Sequence, residues 1–409
     1  MMEIQDVTLA SLSVDGRGSY GIGASAVERS ENLYTYLRIT DIRDDGTLNM
    51  DDLKSVDDAK AAQYLLQPND IVFARTGAST GRNYFYDGTD GEFVYAGFLI
   101  KFSIDPQKVN PQYVKYYCMS EAYKGWIHSF NTGSTRGNIN AQTLGGMPIP
   151  FPTRQQQDGI VEILSSLDEK IRKNAEVNDN LEEQALALFR QYFMDFAPYG
   201  GVVPSDWNEV SLDDVCTRIT DGSHYSPADS PESPYPMYSV KDMETYGFSP
   251  TSCKHISEED FRKMQKGDCV PLLNDILVAK DGSYLKEIFI CSEEKDEAIL
   301  SSIAIFRPNT SIVMPEILLY LLKQPTVRKD VGDNYVSGSA LPRIVLKDFK
   351  KYRFMLPPMD EQLKIGSVLH AIRMQTTANI NENRYLESTR DALLPRLMSG
   401  ELDVSSLDL

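Results

Sequence analysis

No run of eighteen apolar residues occurs anywhere in the 409-residue chain, so no segment is expected to span a bilayer. The opening MMEIQDVTLA has neither the basic nor the apolar stretch of a secretory leader. Cysteine is scarce and odd in number: Cys118, Cys216, Cys253, Cys269 and Cys291, with no C-x-x-C pair. These read as reduced thiols in a cytoplasmic protein. Four histidines, none in H-E-x-x-H spacing, leave little material for a metal site. Catalytic and cofactor signatures are missing too. GASTGRN, from Gly77, has glycines but neither the lysine nor the spacing of a phosphate loop. There is no G-x-G-x-x-G after a strand, no G-x-S-x-G, and no [N/D]-P-P-[Y/F] motif of an amino-methyltransferase. His224 lies near Asp221 and Ser226 in TDGSHYSP, but a cluster so local reads as side-chain-to-backbone turns, not a triad. The chain is expected to be a binding protein with no catalytic residue, metal or cofactor.

Positive charge is also short. The net charge is −18, spread as −5 over residues 1–152, −4 over 153–198, −6 over 199–356 and −3 over 357–409. A free-standing nucleic-acid binder is usually basic, so such a role would need locally positive loops or partner proteins that hold the phosphates.

What the chain does contain is a long internal repeat. NDIVFARTG begins at Asn69 and NDILVAKDG at Asn274, an offset of 205. The same offset joins Gly77 to Gly282, Gly133-Ser134 to Gly338-Ser339, Ile139 to Ile344, Pro152 to Pro357, Gln157 to Gln362 and Ile160 to Ile365. A looser match links LRITDI, from Leu37, to YSVKDM, from Tyr238. DIVFA and DILVA read as short buried strands. NPQYVKYYCMSEAYKGWIHS reads as one helix, with Asn110 as N-cap and Pro111 at its first position. GGMPIPFP and KKYRFMLPP read as proline-ended extended segments at a sheet edge.

After those prolines the apolar period becomes alternating threes and fours. Ile160, Leu164, Leu167, Ile171, Leu181, Ala185, Leu188 and Tyr192 form a heptad seam interrupted by Asn174 and Asn178. The second copy has Ile365, Leu369, Ile372, Leu386, Leu393 and Leu397, with Asn379 and Asn383 in the same two slots and Thr376 and Arg390 as further departures. A seam asparagine lowers stability but fixes register, so matching slots predict that the two helices pair with each other, antiparallel. The expected fold is mixed α/β (α+β): two similar α/β domains, at 1–152 and 199–356, alternating with two long helices at 153–198 and 357–409.

This order of parts resembles the specificity subunit of type I restriction–modification systems. The resemblance covers essentially the whole chain. It rests on NDIVFARTGAST and NDILVAKDGSYL, on PIPFPTRQQQDGIVEILSSLDEKI and NLEEQALALFRQYF around the first helix, and on LESTRDALLPRLMSGEL near the C-terminus. It implies target recognition domains that read a bipartite, gapped site in double-stranded DNA. It also implies helices that serve as spacer and dock two methyltransferase modification subunits, and through them the restriction and translocase subunits. A seam from Ile160 to Tyr192 would be about 50 Å long, or about 14 base pairs of unread spacer. The specificity subunit of another bipartite-site system shares these features, as would a coiled-coil scaffold that binds no DNA.

The loops after the two repeat strands are the first candidates for DNA contact: Arg75, Thr76, Gly77, Ser79, Arg82 and Asn83, and Lys280, Asp281, Gly282, Ser283, Tyr284 and Lys286. Arginine suits guanine, asparagine adenine, and aspartate the amino group of cytosine. The glycines permit close backbone approach or positive φ. A second set lies in two polar loops: Arg136, Asn138 and Asn140, and Tyr335, Ser337, Ser339 and Arg343, with the character of phosphate-positioning segments.

Overall fold

The protein is described here by a computed structural model covering residues 5–130, 138–250 and 253–404. The chain divides into two compact units, one of residues 1–172 with 382–409, the other of residues 173–381. Each unit has its own core.

The two units repeat one strand plan. The first has a four-stranded antiparallel sheet in the order Ser19–Tyr20, Leu99–Ser103, Asp70–Ala74, Asn83–Tyr86. The second has Cys216–Asp221, Ile303–Pro308, Ile276–Ala279, Ile288–Ile290 in the same order. A second sheet in each has a middle strand, Tyr34–Leu37 or Tyr235–Tyr238, paired antiparallel on one side and parallel on the other. The proline-ended segments form strands, Pro148–Phe151 against Gln5–Thr8 and Arg353–Leu356 against Asn208–Ser211.

The Asn-Asp that opens each repeat strand is structural. Asn69 (φ 73°) and Asn274 (φ 68°) are left-handed, a conformation asparagine tolerates better than most residues. The next residue turns its carboxylate back to accept the backbone N–H three residues earlier, Gln67 for Asp70 and Leu272 for Asp275, each at 2.8 Å. Both carboxylates are buried and paired with a cation from the neighbouring strand, Lys101 at 2.9 Å and Arg307 at 2.8 Å. Thereafter every residue of Ile71–Ala74 and of Ile276–Ala279 is buried, which is why the repeat reads as apolar runs without alternation. The looser match is also a shared turn: Asp41 accepts the N–H of Arg38 at 2.7 Å, and Asp242 that of Ser239 at 2.8 Å.

The segment expected as one helix is two, Pro111–Tyr117 and Glu121–His128. Asn110 caps the first as expected, accepting the Gln112 N–H at 3.0 Å. The break comes from Ser120, whose hydroxyl donates to the Tyr117 carbonyl and accepts the Tyr123 N–H, ending one helix and capping the next.

The long helices are Arg154–Phe193 and Met359–Met398, forty residues each. Gln157 and Gln362 fasten their first turns. Gln157 accepts the Asn110 N–H at 2.9 Å and donates to the Pro152 carbonyl at 3.0 Å; Gln362 accepts from Met314 at 3.0 Å and donates to Pro357 at 3.0 Å. In the first unit Ile160 and Leu164 pack with Leu394, Leu397 and Met398 in one core; in the second, Ala185, Phe189 and Phe193 pack with Ile365 and Leu369. Each core therefore takes the start of one long helix and the end of the other, in antiparallel sense. No helix among the described residues is long and apolar enough to cross a membrane.

Candidate nucleic-acid interface

In each unit the backbone brings the two candidate segments together. Thr76 forms an antiparallel bridge with Asn138, and the Ile139 N–H donates to the Arg75 carbonyl at 2.9 Å. At the same offset, Asp281 bridges Arg343, and the Ile344 N–H donates to the Lys280 carbonyl at 3.0 Å. A rigid buried strand thus ends in a loop stapled to a second polar loop, once per unit.

The glycine after each strand takes positive φ, Gly77 at 76° and Gly282 at 69°. No heavy atom lies within 4 Å of where a Gly77 side chain would begin, so the backbone conformation alone asks for glycine there. Thr76 and Ser79 are half-buried, and Ser79 accepts the Arg82 N–H at 2.9 Å.

The side chains divide into those turned outward and those engaged with the protein. Arg75 lies with its guanidinium 5.0 Å from the Tyr20 ring centroid. Arg82 is held by Asp44 at 2.6 Å and by the Ile42 carbonyl. Asn83 donates to the Cys118 carbonyl at 3.2 Å, and Asn140 caps the short helix Ala141–Gly145 through the Thr143 N–H at 2.8 Å. Asn138 is exposed. Arg136 lies outside the described residues. In the second unit Lys280 is 5% exposed and paired with Asp221 at 2.6 Å, while buried Asp281 pairs with Arg343 at 3.0 Å. Ser283 and Lys286 are exposed. The Tyr284 hydroxyl covers Gly332 so closely that an added methyl there would lie 2.6 Å from it. Tyr335 packs at a tilt against Phe349 and edgewise against Tyr352 at the edge of the core. Ser337 and Ser339 flank Gly338 (φ 89°) at an exposed hairpin turn. His224 lies 3.4 Å from Asp221, but Ser226 accepts from Lys254 at 3.0 Å, so the three form no triad.

Of the seam asparagines, Asn174, Asn178 and Asn379 are buried. Within the second unit Asn379 donates to Asn178 at 2.8 Å; within the first, Asn383 donates to the Ile171 carbonyl at 3.2 Å.

Three residues of the site escaped sequence reasoning. Tyr20 lies outside the matched repeat. Phe98 is 60% exposed, and its carbonyl accepts the Arg75 N–H at 3.1 Å. Its turn packs tightly, since a side chain on Gly21 would meet the Ala96 carbonyl at 2.3 Å. Leu341 is 56% exposed beside Gly282. An aromatic directly after Gly97, between two apolar runs, was the one available signal for Phe98.

A family model described as the type I restriction modification DNA specificity domain matches twice, at residues 26–183 and 204–387. The chain is 24% identical over 311 residues to the MjaIX specificity subunit, a type I restriction enzyme subunit of Methanocaldococcus jannaschii, covering 72% of this chain and 70% of that one. It is 21% identical over 411 residues to the HindI specificity subunit of Haemophilus influenzae, covering 83% and 88%. Among solved structures, the type I S subunit of M. genitalium shares the fold with a TM-score of 0.56 at 16% identity, covering 97% of each chain. With both matches falling on repeated strand plans, the chain belongs to the family of type I restriction modification DNA specificity domains and carries that domain twice.

Proposed function

We propose that this chain is the non-catalytic DNA-recognition subunit of a type I restriction–modification complex in the cytoplasm, each unit reading one half of a gapped double-stranded site. The observation that carries this reading is the duplicated stapled loop pair, Arg75–Thr76 with Asn138–Ile139 and Lys280–Asp281 with Arg343–Ile344. One scaffold presents different side chains in its two copies, as two different half-sites require. In this reading Asn138 and Lys286, which are exposed, and Arg75 and Arg343, held by Tyr20 and Asp281, are the polar groups that meet bases or phosphates. Arg82, Asn83, Asn140, Lys280 and Tyr335 shape the loops. Asn174, Asn178, Asn379 and Asn383 set the register of the helix pair, which fixes the unread spacer and docks two modification subunits. Restriction and translocase subunits join through these.

The charge of −18 fits a subunit that reads bases while its partners grip the backbone. The test is methylated-base sequencing of DNA from cells holding the modification subunit with and without this chain. A gapped, asymmetric motif that vanishes without the chain is expected. No chain-dependent methylation, with the modification subunit shown to be bound, would overturn the reading.

A further inference from the structure

The two stapled loops carry a cation at the same repeat position, Arg75 and Lys280, yet the fold treats them in opposite ways. Each faces the residue ending the far strand of its sheet, two strands away. In the first unit that strand is Ser19–Tyr20, and Tyr20 pairs with Ile100; in the second it is Cys216–Asp221, and Asp221 pairs with Ala304. Tyr20 and Asp221 thus occupy corresponding places. Asp221 takes the Lys280 ammonium at 2.6 Å, and Asp281 adds a second carboxylate at 3.8 Å, so the amine is buried and neutralised. Tyr20 offers Arg75 only a ring face, at 5.0 Å. A π face attracts the guanidinium without accepting its in-plane N–H groups. Among the described residues, the Arg75 guanidinium has no ion-pair or hydrogen-bond partner, and its buried Nε has none at all. The Tyr20 hydroxyl also accepts the Ala141 N–H at 3.1 Å, tying the ring to the segment that follows the second loop.

We propose that Tyr20 is a positioning residue that holds Arg75 as the base-reading group of the first unit, and that Asp221 withdraws Lys280 from the corresponding task in the second. The inference rests on the DNA-recognition reading above. Arg75, held at the Tyr20 ring, keeps its N–H groups without a protein partner among the described residues, and such a fork can bind the two acceptors of a guanine edge. The second unit reads instead from its hairpin, where Arg343, although its Nε pairs with Asp281 at 3.0 Å, is 54% exposed at the side chain, unlike the buried Lys280. One residue outside the loop therefore decides whether the loop cation faces DNA or the protein.

The experiment is methylated-base sequencing with the full chain in complex with its modification subunit. Arg75→Gln and Tyr20→Leu should relax or change the same single position of one half-site by about tenfold or more, leaving the other half-site sharp. Tyr20→Phe, which keeps the ring, should leave the motif unchanged. Asp221→Asn, which takes the ion-pair partner away from Lys280, should change one position of the second half-site and leave the first sharp. Tyr20→Leu with an unaltered motif, Tyr20→Phe with a relaxed one, or Asp221→Asn with an unaltered second half-site would each overturn the inference. So would a Tyr20→Leu loss spread evenly over both half-sites, which would mark a merely structural role. A sharp motif in the unaltered complex that survives Arg75→Gln counts against this inference alone. No motif in the unaltered complex removes both readings.

Discussion

Asn379 donates its side-chain amide to the Asn178 side-chain oxygen at 2.8 Å, between the two long helices and with both residues buried. Asn178 also reaches the Thr376 carbonyl, and Gln375 donates to Asn379. Replacing either asparagine alone with leucine leaves a buried amide without its partner and should lower stability by about 1–3 kcal/mol. Replacing both with leucine should restore stability or raise it, because an apolar pair needs no partner. Denaturant unfolding of the two single variants and the double variant measures this. Additive losses would show that the pair is not coupled.

In the first unit, Asp168 of the first long helix meets Arg390 of the second at 3.1 Å, Lys115 at 3.2 Å and the Tyr116 hydroxyl at 2.8 Å. Burial opposes its ionisation, but Lys115, Tyr116 and Arg390 outweigh burial and hold its carboxyl below the ordinary range. A carboxylate depressed on folding contributes stability that is complete above the unfolded value, about 3.9, and lost as pH falls through the folded one. Asp168→Asn should therefore lower stability at pH 7 by about 1–2 kcal/mol. The gap from the unaltered protein should close in strong acid. Unfolding curves across that range would show a constant gap if the contacts were inert.

The opening Asp of the repeat strand should matter more than any loop residue to folding. Asp275 is fully buried between the Leu272 N–H and Arg307. Asp275→Asn removes one partner of a buried ion pair and should cost about 3 kcal/mol. Asp70→Asn should do the same in the first unit. Thermal melting that moves by less than two degrees for both would contradict the structural reading of the repeat.

With a net charge of −18, the isolated chain should bind its own DNA site weakly, and addition of the modification subunit should tighten binding and steepen its salt dependence. Fluorescence anisotropy with and without that subunit checks this. Tight, specific binding by the chain alone would refute it.

The repeat, its strands and the seam asparagines were legible because each is a local pattern written twice. Asn69-Asp70 and Asn274-Asp275 stand out for backbone reasons, a left-handed residue followed by a turn-closing carboxylate. What stayed hidden was the fate of the loop side chains. Arg82 is held by Asp44, thirty-eight residues earlier, and Lys280 by Asp221, fifty-nine residues earlier. Nothing in the spacing announces either pairing, because they arise only when strands distant in sequence become neighbours. Tyr335 looked like a loop aromatic and is a core packer for the same reason. The broken helix at Ser120 was missed because a serine inside an apolar pattern reads equally well as a tolerated helix residue or as a cap.

The most direct test of the claim that each unit reads its own half-site is a domain exchange. Residues 199–356 would be replaced with the corresponding region of a family member of different specificity, and the methylated motif sequenced beside that of the unaltered complex. The expected result is a motif with one half-site replaced and the other half-site and spacer unchanged. A motif altered in both halves, or in neither, would contradict it.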